Sequence, residues 1–74
     1  MNWIKVEDRL PELRKPFSIG IRMKAQDSED VLCKMEDGSL KVDRRLRNFD
    51  EAGYDSEGWK SCTGEVEFWA HIDD

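Results

Sequence analysis

The chain has 74 residues and a net charge of −5, and 38 % of its residues are hydrophobic while 39 % are charged. This length predicts one small domain, residues 1–74, that buries only about 60 % of the surface exposed by its unfolded chain. Such a core leaves little room for the cavity of about 300–1,000 Å³ that binds a drug-sized substrate, which argues against most enzymes, and the acidic charge argues against nucleic acid as a general ligand.

The cellular setting is inferred from the lack of export signals. No stretch approaches the roughly 20 apolar residues that span a bilayer, and the opening residues lack the basic and apolar regions of a signal peptide. We therefore expect a cytoplasmic protein with no membrane partner. In a reducing compartment Cys33 and Cys62 are expected to be free thiols packed as small hydrophobic side chains, although a single bridge between them stays open.

The first elements in the chain are short. Ile4 and Val6 alternate with polar residues, so the segment 3–7 is predicted to be extended. The segment 7–12 reads as a turn or a single helical turn, because Leu10 precedes Pro11 and a residue before proline is displaced from the α region.

The middle of the chain predicts three strands. Strict alternation of apolar and polar residues over 17–23 is the clearest strand pattern, and a polar loop over 26–30 follows it. A second strand over 31–35 and a returning strand over 40–44 flank an Asp37-Gly38 turn. Asp-Gly supplies the positive φ that hairpin turns require, so this hairpin is the firmest local prediction.

The last third of the chain is less regular. Residues 44–47 either continue the strand or open a helical turn, and the acidic, glycine-containing stretch 50–58 is predicted to be a surface loop. A short strand over 59–62 and a last strand over 65–71 complete the chain.

These elements predict a mainly β domain, with an α+β arrangement as the alternative. The expected architecture is a small antiparallel sheet of four to five strands that is partly rolled, since a bare sheet of this size is unstable. Its cover is expected from the N-terminal segment, which carries Trp3 and Leu10, and from at most a short helix.

The opening residues resemble a known family. The segment Trp3–Glu12, followed by Val31-Leu32, Asp37-Gly38, Gly58-Trp59 and Val66-Glu67-Phe68-Trp69, is similar to domain-of-unknown-function family 551, which is common in bacteriophages and prophages. Phe68 stands where that family usually has histidine. The resemblance implies a phage- or prophage-encoded accessory protein in the bacterial host cytoplasm, and it implies no reaction.

No arrangement of residues predicts catalysis, a cofactor or a metal. His71 is the only histidine, and it shares no Cys-x-x-Cys-type spacing with Cys33 and Cys62 that would predict a zinc site. The acidic run 50–57 lacks the central glycine of a calcium loop. No serine lies in a nucleophile elbow, so we expect a protein that is not an enzyme.

Two charged surfaces are candidates for binding a macromolecule. The basic patch comprises Lys41, Arg44, Arg45 and Arg47. The candidate partner-binding surface is acidic and aromatic and comprises Asp50, Glu51, Tyr54, Asp55, Glu57, Glu65, Glu67 and Trp69. On the last strand either Phe68 or Trp69 faces inward, so one of these aromatic side chains is expected to be exposed.

Three hypotheses for function follow from these features. The first is binding to a host or phage protein, including inhibition of a defence system or of a nucleic-acid-handling complex by an acidic surface. The second is a homodimer or larger homo-oligomer that pairs through an edge strand such as 17–23. The third, and the weakest for an acidic chain, is nucleic-acid binding through the basic patch.

Overall fold

The computed structural model describes residues 1–73, which form an all-β molecule without a helix. The strands are β1 (Ile4–Lys5), β2 (Phe17–Ser18), β3 (Met23–Asp27), β4 (Val31–Met35), β5 (Leu40–Asp43), β6 (Arg45–Asp50), β7 (Asp55–Trp59) and β8 (Val66–His71). The predicted small, mainly β class is thus confirmed. No helix within residues 1–73 has the length and apolar character needed to cross a membrane.

The strands form two antiparallel sheets of four strands each, and neither closes into a barrel. Sheet A has the order β1-β8-β4-β5, and sheet B has the order β2-β3-β6-β7. Only residues 28–30 separate β3 from β4, and only Arg44 separates β5 from β6. Two long stretches of chain therefore run through both sheets, and the molecule is elongated, with extents of 39 × 23 × 20 Å.

The hydrophobic core lies on one face of sheet A. Alternation in β4 turns Val31, Cys33 and Met35 inward, and the register places Cys33 opposite Trp69. Ile4, Val6, Trp59 and Cys62 pack against this cluster from the N-terminal segment and from the end of sheet B.

The N-terminal segment covers the Trp69 side of this core. The Trp69 indole Nε1 donates a hydrogen bond of 2.7 Å to the Arg9 carbonyl oxygen, and Pro11 is fully buried. The backbone N–H of Val6 donates to the carbonyl of Glu67 at 3.0 Å. The N-terminal segment therefore covers the core of sheet A as predicted. It is irregular chain held in place by hydrogen bonds, and it contains no short helix.

The β4–β5 hairpin confirms the Asp-Gly prediction. Gly38 has φ 87°, a conformation that side chains with a Cβ rarely adopt. The Asp37 carboxylate accepts hydrogen bonds from the backbone N–H of Ser39 at 2.9 Å and from its hydroxyl. The turn is thus held by its own side chains.

The predicted strand over residues 17–23 is wrong. Within this range only Phe17–Ser18 and Met23, the first residue of β3, lie in strands, the chain reverses at 19–22, and Phe17 pairs with Ala25 in a hairpin between β2 and β3. The backbone N–H of Ile19 donates to the carbonyl of Met23 at 3.0 Å and closes the reversal. The regular alternation gave no sign of a turn, and the true strand extends into 26–27, which its polarity assigned to a loop.

The predicted loop over 50–58 is also wrong in its second half, because Asp55–Trp59 forms β7. The register sets Glu57 opposite Arg47 and Asp55 opposite Phe49, and each of these carboxylates forms a diagonal ion pair with an arginine of β6. Residues 45–50 form a strand, which settles the open choice between strand and helical turn. Residues 60–62, predicted as a strand, are a loop, and the expected four to five strands become eight.

Candidate functional site

The residues of the predicted basic patch do not form one positive surface. Ion pairs join Arg44 to Asp27 and Asp30, Arg45 to Glu57, and Arg47 to Asp55. The Arg47 guanidinium also lies 4.3 Å from the centre of the Phe49 ring. Lys41 is exposed on β5, away from these pairs. Because the arginines are already neutralised by neighbouring carboxylates, the patch has little charge left to offer phosphates.

The junction between the two sheets is a charged network centred on Asp27. Its carboxylate binds Arg14 at 2.9 Å and Arg44 at 3.2 Å. Partial burial would raise the pKa of Asp27, but the hydrogen bonds from both guanidinium groups outweigh it and lower the pKa below its ordinary value. The charged groups of this network find their partners within the chain, so its arrangement is that of a structural contact between the two sheets.

The predicted acidic surface is divided between several places. Asp55 and Glu57 form the ion pairs with Arg47 and Arg45, and the Asp50 carboxylate accepts the backbone N–H groups of Ala52 and Tyr54 at 3.0 and 2.9 Å. Exposed Glu67 lies on β8 of sheet A and exposed Glu65 in the loop before it, and both are distant in the chain from the sheet B turns.

Trp69 does not belong to an exposed surface. Its side chain is 2 % exposed and its indole N–H is bound, so its expected place among partner-binding residues is corrected. A register irregularity at Lys34/Met35 aligns Val66 with Trp69 on the core face. Phe68 consequently lies on the opposite face, where Lys34 Nζ is 6.0 Å from the centre of its ring.

An exposed apolar surface lies at the far end of sheet B. We call it the distal tip; it consists of the turns 19–22 and 51–54, which adjoin because Met23 pairs with Asp50. Ile21 is fully exposed, and Ile19 and Tyr54 expose about half of their surface. The sequence pattern did not predict this exposed surface, because the alternation of apolar and polar residues assigned Ile19 and Ile21 to a half-buried strand.

The distal tip has a shallow concavity of about 200 Å³, lined in part by Ile21, Met23 and Phe49, with Glu51 and Arg22 at its rim. This volume is below the roughly 300–1,000 Å³ of drug-sized ligand sites. An exposed apolar centre with a charged rim is instead the usual composition of a protein-binding surface.

A second concavity, of about 450 Å³, lies between the N-terminal segment and β8, and its lining includes Arg9, Trp69 and His71. This volume lies within the roughly 300–1,000 Å³ of drug-sized ligand sites, so the expectation that the chain has little room for such a cavity is not met here. The His71 Nδ1 lies 2.8 Å from a Glu29 carboxylate oxygen, and its ring meets Trp69 edge-on at 5.1 Å. Within residues 1–73 no three His, Cys, Asp or Glu side chains are grouped so that they could hold a metal ion. The histidine thus joins β8 to the loop before β4.

The two cysteines are free thiols: Cys33 is buried in the core of sheet A, and partly buried Cys62 packs against that core. Burial, together with the neighbouring Cys62 and Asp43, raises the pKa of the Cys33 thiol to about 12. Burial and hydrogen bonding to Asp43 likewise raise the pKa of Cys62. Neither thiol is in the thiolate form that nucleophilic chemistry needs at neutral pH.

Alkylation should therefore report on the core. At pH 8 we expect iodoacetamide to modify Cys33 in the native protein roughly a thousandfold more slowly than in urea, because the raised pKa leaves little thiolate. Mass spectrometry after timed labelling measures the rate at each cysteine. Equal native and urea rates at Cys33 would show that this thiol is not buried.

Comparison with protein-family models, curated proteins and solved structures finds no match to this chain. The surfaces described above are consequently the basis for a function.

Proposed function

We propose that the protein is a phage- or prophage-encoded accessory protein that acts by binding another protein through the distal tip. The observation that carries this proposal is Ile21, which is fully exposed in the turn between β2 and β3. An exposed apolar side chain gains free energy when a partner covers it, by roughly 25 cal/mol for each Å² buried. The phage origin is supported by the opening motif Trp3–Glu12.

The chemistry of the tip restricts the partner. Glu51 and Asp50 lie beside the exposed Ile19, Ile21 and Tyr54, and the ion pairs of sheet B leave Glu51 without a role in the turn. A partner with an apolar pocket and a basic rim would match this surface, and complementary charge would speed the encounter. A host complex that handles nucleic acid has basic surfaces of this kind, so inhibition of such a complex is the form of the function that we favour.

The test compares two aspartate substitutions in capture experiments from lysate of a bacterial host. We expect Ile21→Asp to lose the proteins captured by the wild-type chain, because the partner's apolar pocket would have to desolvate a carboxylate. Ile72→Asp, at an exposed isoleucine on the C-terminal segment, is the matched control and should keep them. The free energy of unfolding of both variants should lie within about 0.5 kcal/mol of the wild-type value, since neither side chain is buried.

Equal capture by wild type and Ile21→Asp would overturn the assignment of the tip. Loss of capture in both variants would also overturn the assignment, because the loss would then not be specific to the distal tip. Repeating the capture at two salt concentrations separates the charged contribution of Glu51, which weakens with salt, from the apolar one.

A further inference from the structure

β5 is an open edge strand of sheet A. It pairs only with β4, and its other side faces solvent. In an antiparallel ladder the backbone groups of successive residues point alternately toward and away from the neighbouring strand. The backbone N–H of Met35 donates to the Ser39 carbonyl at 2.8 Å, so Ser39 belongs to a hydrogen-bonded pair. Two and four residues further along, the backbone N–H and C=O groups of Lys41 and Asp43 therefore also point toward β4. The N–H and C=O groups of Leu40 and Val42 therefore point outward.

The outward edge ends at Arg44. The carbonyl of Arg44, the next outward position, accepts the backbone N–H of Lys60 at 3.0 Å. At the other end Gly38 lies in the turn. The free edge is thus limited to Leu40 and Val42, whose side chains are also 54 % and 60 % exposed.

Natural proteins protect open edges with prolines, bulges or inward-pointing charges. The other outer strands are protected by their length or composition, since β1 and β2 have two residues each and β7 carries Asp55 and Glu57. β5 has no proline, and its one exposed charge is Lys41. It is the best template for strand pairing among the described residues.

We propose that β5 pairs antiparallel with β5 of a second copy and joins two copies of sheet A into one eight-stranded sheet. Hydrogen-bonded pairing requires outward residues to face outward residues. A two-fold axis through Val42 or through Leu40 would leave only one hydrogen-bonded pair of residues, because the next pair would need the occupied Arg44 carbonyl or Gly38 in the turn. An axis through Lys41 forms two such pairs, because it sets Leu40 of each copy opposite Val42 of the other, and it is therefore the favoured register.

This register suits the side chains. It forms two Leu40–Val42 pairs on the outer face, and cross-strand apolar pairs of this kind stabilise sheets. The two Lys41 side chains meet at the axis on the other face, beside a concavity lined by Glu36, Asp37 and Glu65. These carboxylates offset the repulsion between the two ammonium groups. Because only two edge residues of each copy form the strand pairing, we expect a contact smaller than the roughly 1,000 Å² of stable interfaces and a dimer that dissociates on dilution.

The first test is sedimentation velocity over a concentration series that reaches millimolar protein. We expect a dimer fraction that rises with concentration in the wild type. Val42→Pro should abolish it, because proline removes an N–H that is bonded only in the dimer, and edge strands tolerate proline. Val42→Thr keeps that N–H and should still dimerise. Circular dichroism verifies that both variants are folded.

The second test is a charge exchange at the axis. Position 41 faces itself only in the proposed register, so a mixture of wild type and Lys41→Glu forms a Lys–Glu pair. We compare the association constant of this mixed dimer, corrected for the statistical factor of two, with the geometric mean of the association constants of the two homodimers. The mixed dimer should exceed that mean by roughly three- to tenfold. The carboxylates around Lys41 act on both residues and largely cancel in this comparison.

Either of two results would overturn the proposal: a wild-type chain that is strictly monomeric at millimolar concentration, or a mixed dimer equal to the geometric mean. The β5 edge and the distal tip lie on different sheets. A failed dimer test therefore leaves the tip proposal standing, and loss of tip binding leaves the dimer standing.

Discussion

Trp69→Ala should cost about 3–5 kcal/mol of unfolding free energy, the range for truncating a buried aromatic side chain. Trp69 is 2 % exposed and lies between the core face of sheet A and the N-terminal cover. A small domain has only about 5–15 kcal/mol of total stability, and short chains lie at the low end. We therefore expect this variant to be largely unfolded at 37 °C.

Urea unfolding followed by circular dichroism measures this loss without depending on tryptophan fluorescence. Trp69→Phe keeps an aromatic ring but removes the hydrogen bond to the Arg9 carbonyl, so it should lose an intermediate amount, about 1–3 kcal/mol. Ile72→Ala is the exposed control and should change stability by less than about 0.5 kcal/mol. A Trp69→Ala midpoint equal to that of wild type would show that the N-terminal segment does not depend on this contact.

The strands of sheet A were predictable because their determinants are local. Hydrophobic residues recur at alternate positions of β4, β5 and β8 in the sequence, burial itself alternates only in β4, and the Asp-Gly turn fixes the register of β4 with β5. The sequence did not decide whether Phe68 or Trp69 faces inward. That choice depends on the irregularity opposite Lys34 and Met35, which is a property of the pairing between distant strands.

Sheet B was not predictable in the same way, because what holds it together is non-local. Among the residues of its strands only Ala25 is a buried hydrophobic, and β6 meets β7 through arginine–carboxylate pairs. An acidic stretch rich in turn formers looks like a loop until its cationic partners are placed opposite it. Exposed ion pairs contribute only about 0–1 kcal/mol each, so sheet B is held more weakly than sheet A.

This difference bears on the candidate site. The acidic residues were correctly placed in a surface segment, but Asp55 and Glu57 are engaged in ion pairs, while Glu51 and Tyr54 lie at the distal tip. The apolar half of the tip was missed, because a hairpin reversal at 19–22 has no strong turn signal besides Gly20. A weakly packed sheet that ends in exposed apolar side chains can adapt to a partner at low cost, since few buried contacts oppose its movement.

The loop that connects the two sheets should depend on Asp43. This carboxylate is 5 % exposed and accepts backbone N–H groups of Arg44 at 2.8 Å, Ser61 at 3.0 Å and Cys62 at 2.8 Å. Asp43→Ala would leave these donors without an acceptor in a partly buried place. Because each unsatisfied donor costs about 1–3 kcal/mol and water can reach some of them, we expect a loss of about 2–4 kcal/mol.

The pH dependence of this contribution has a defined sign. Burial alone would raise the pKa of Asp43, but the hydrogen bonds from Arg44, Cys62 and Ser61 outweigh it and lower the pKa. A carboxylate with a lowered folded-state pKa stabilises the fold above its unfolded-state pKa of about 3.9 and loses that contribution as the pH falls toward its folded-state value. The stability gap between wild type and Asp43→Asn should therefore be full at pH 7 and shrink below about pH 4.

Urea unfolding of both proteins between pH 7 and pH 2.5 measures this gap. The comparison isolates Asp43, because Asp27, Asp37 and Asp55 also have lowered pKa values and weaken both proteins equally in acid. A gap that stays constant with pH would mean that the shape of the side chain, and not its charge, holds residues 61 and 62. That loop carries the chain from β7 of sheet B to β8 of sheet A. With a constant gap, the charge of the buried Asp43 carboxylate would not explain how the weakly packed sheet B stays joined to the core of sheet A.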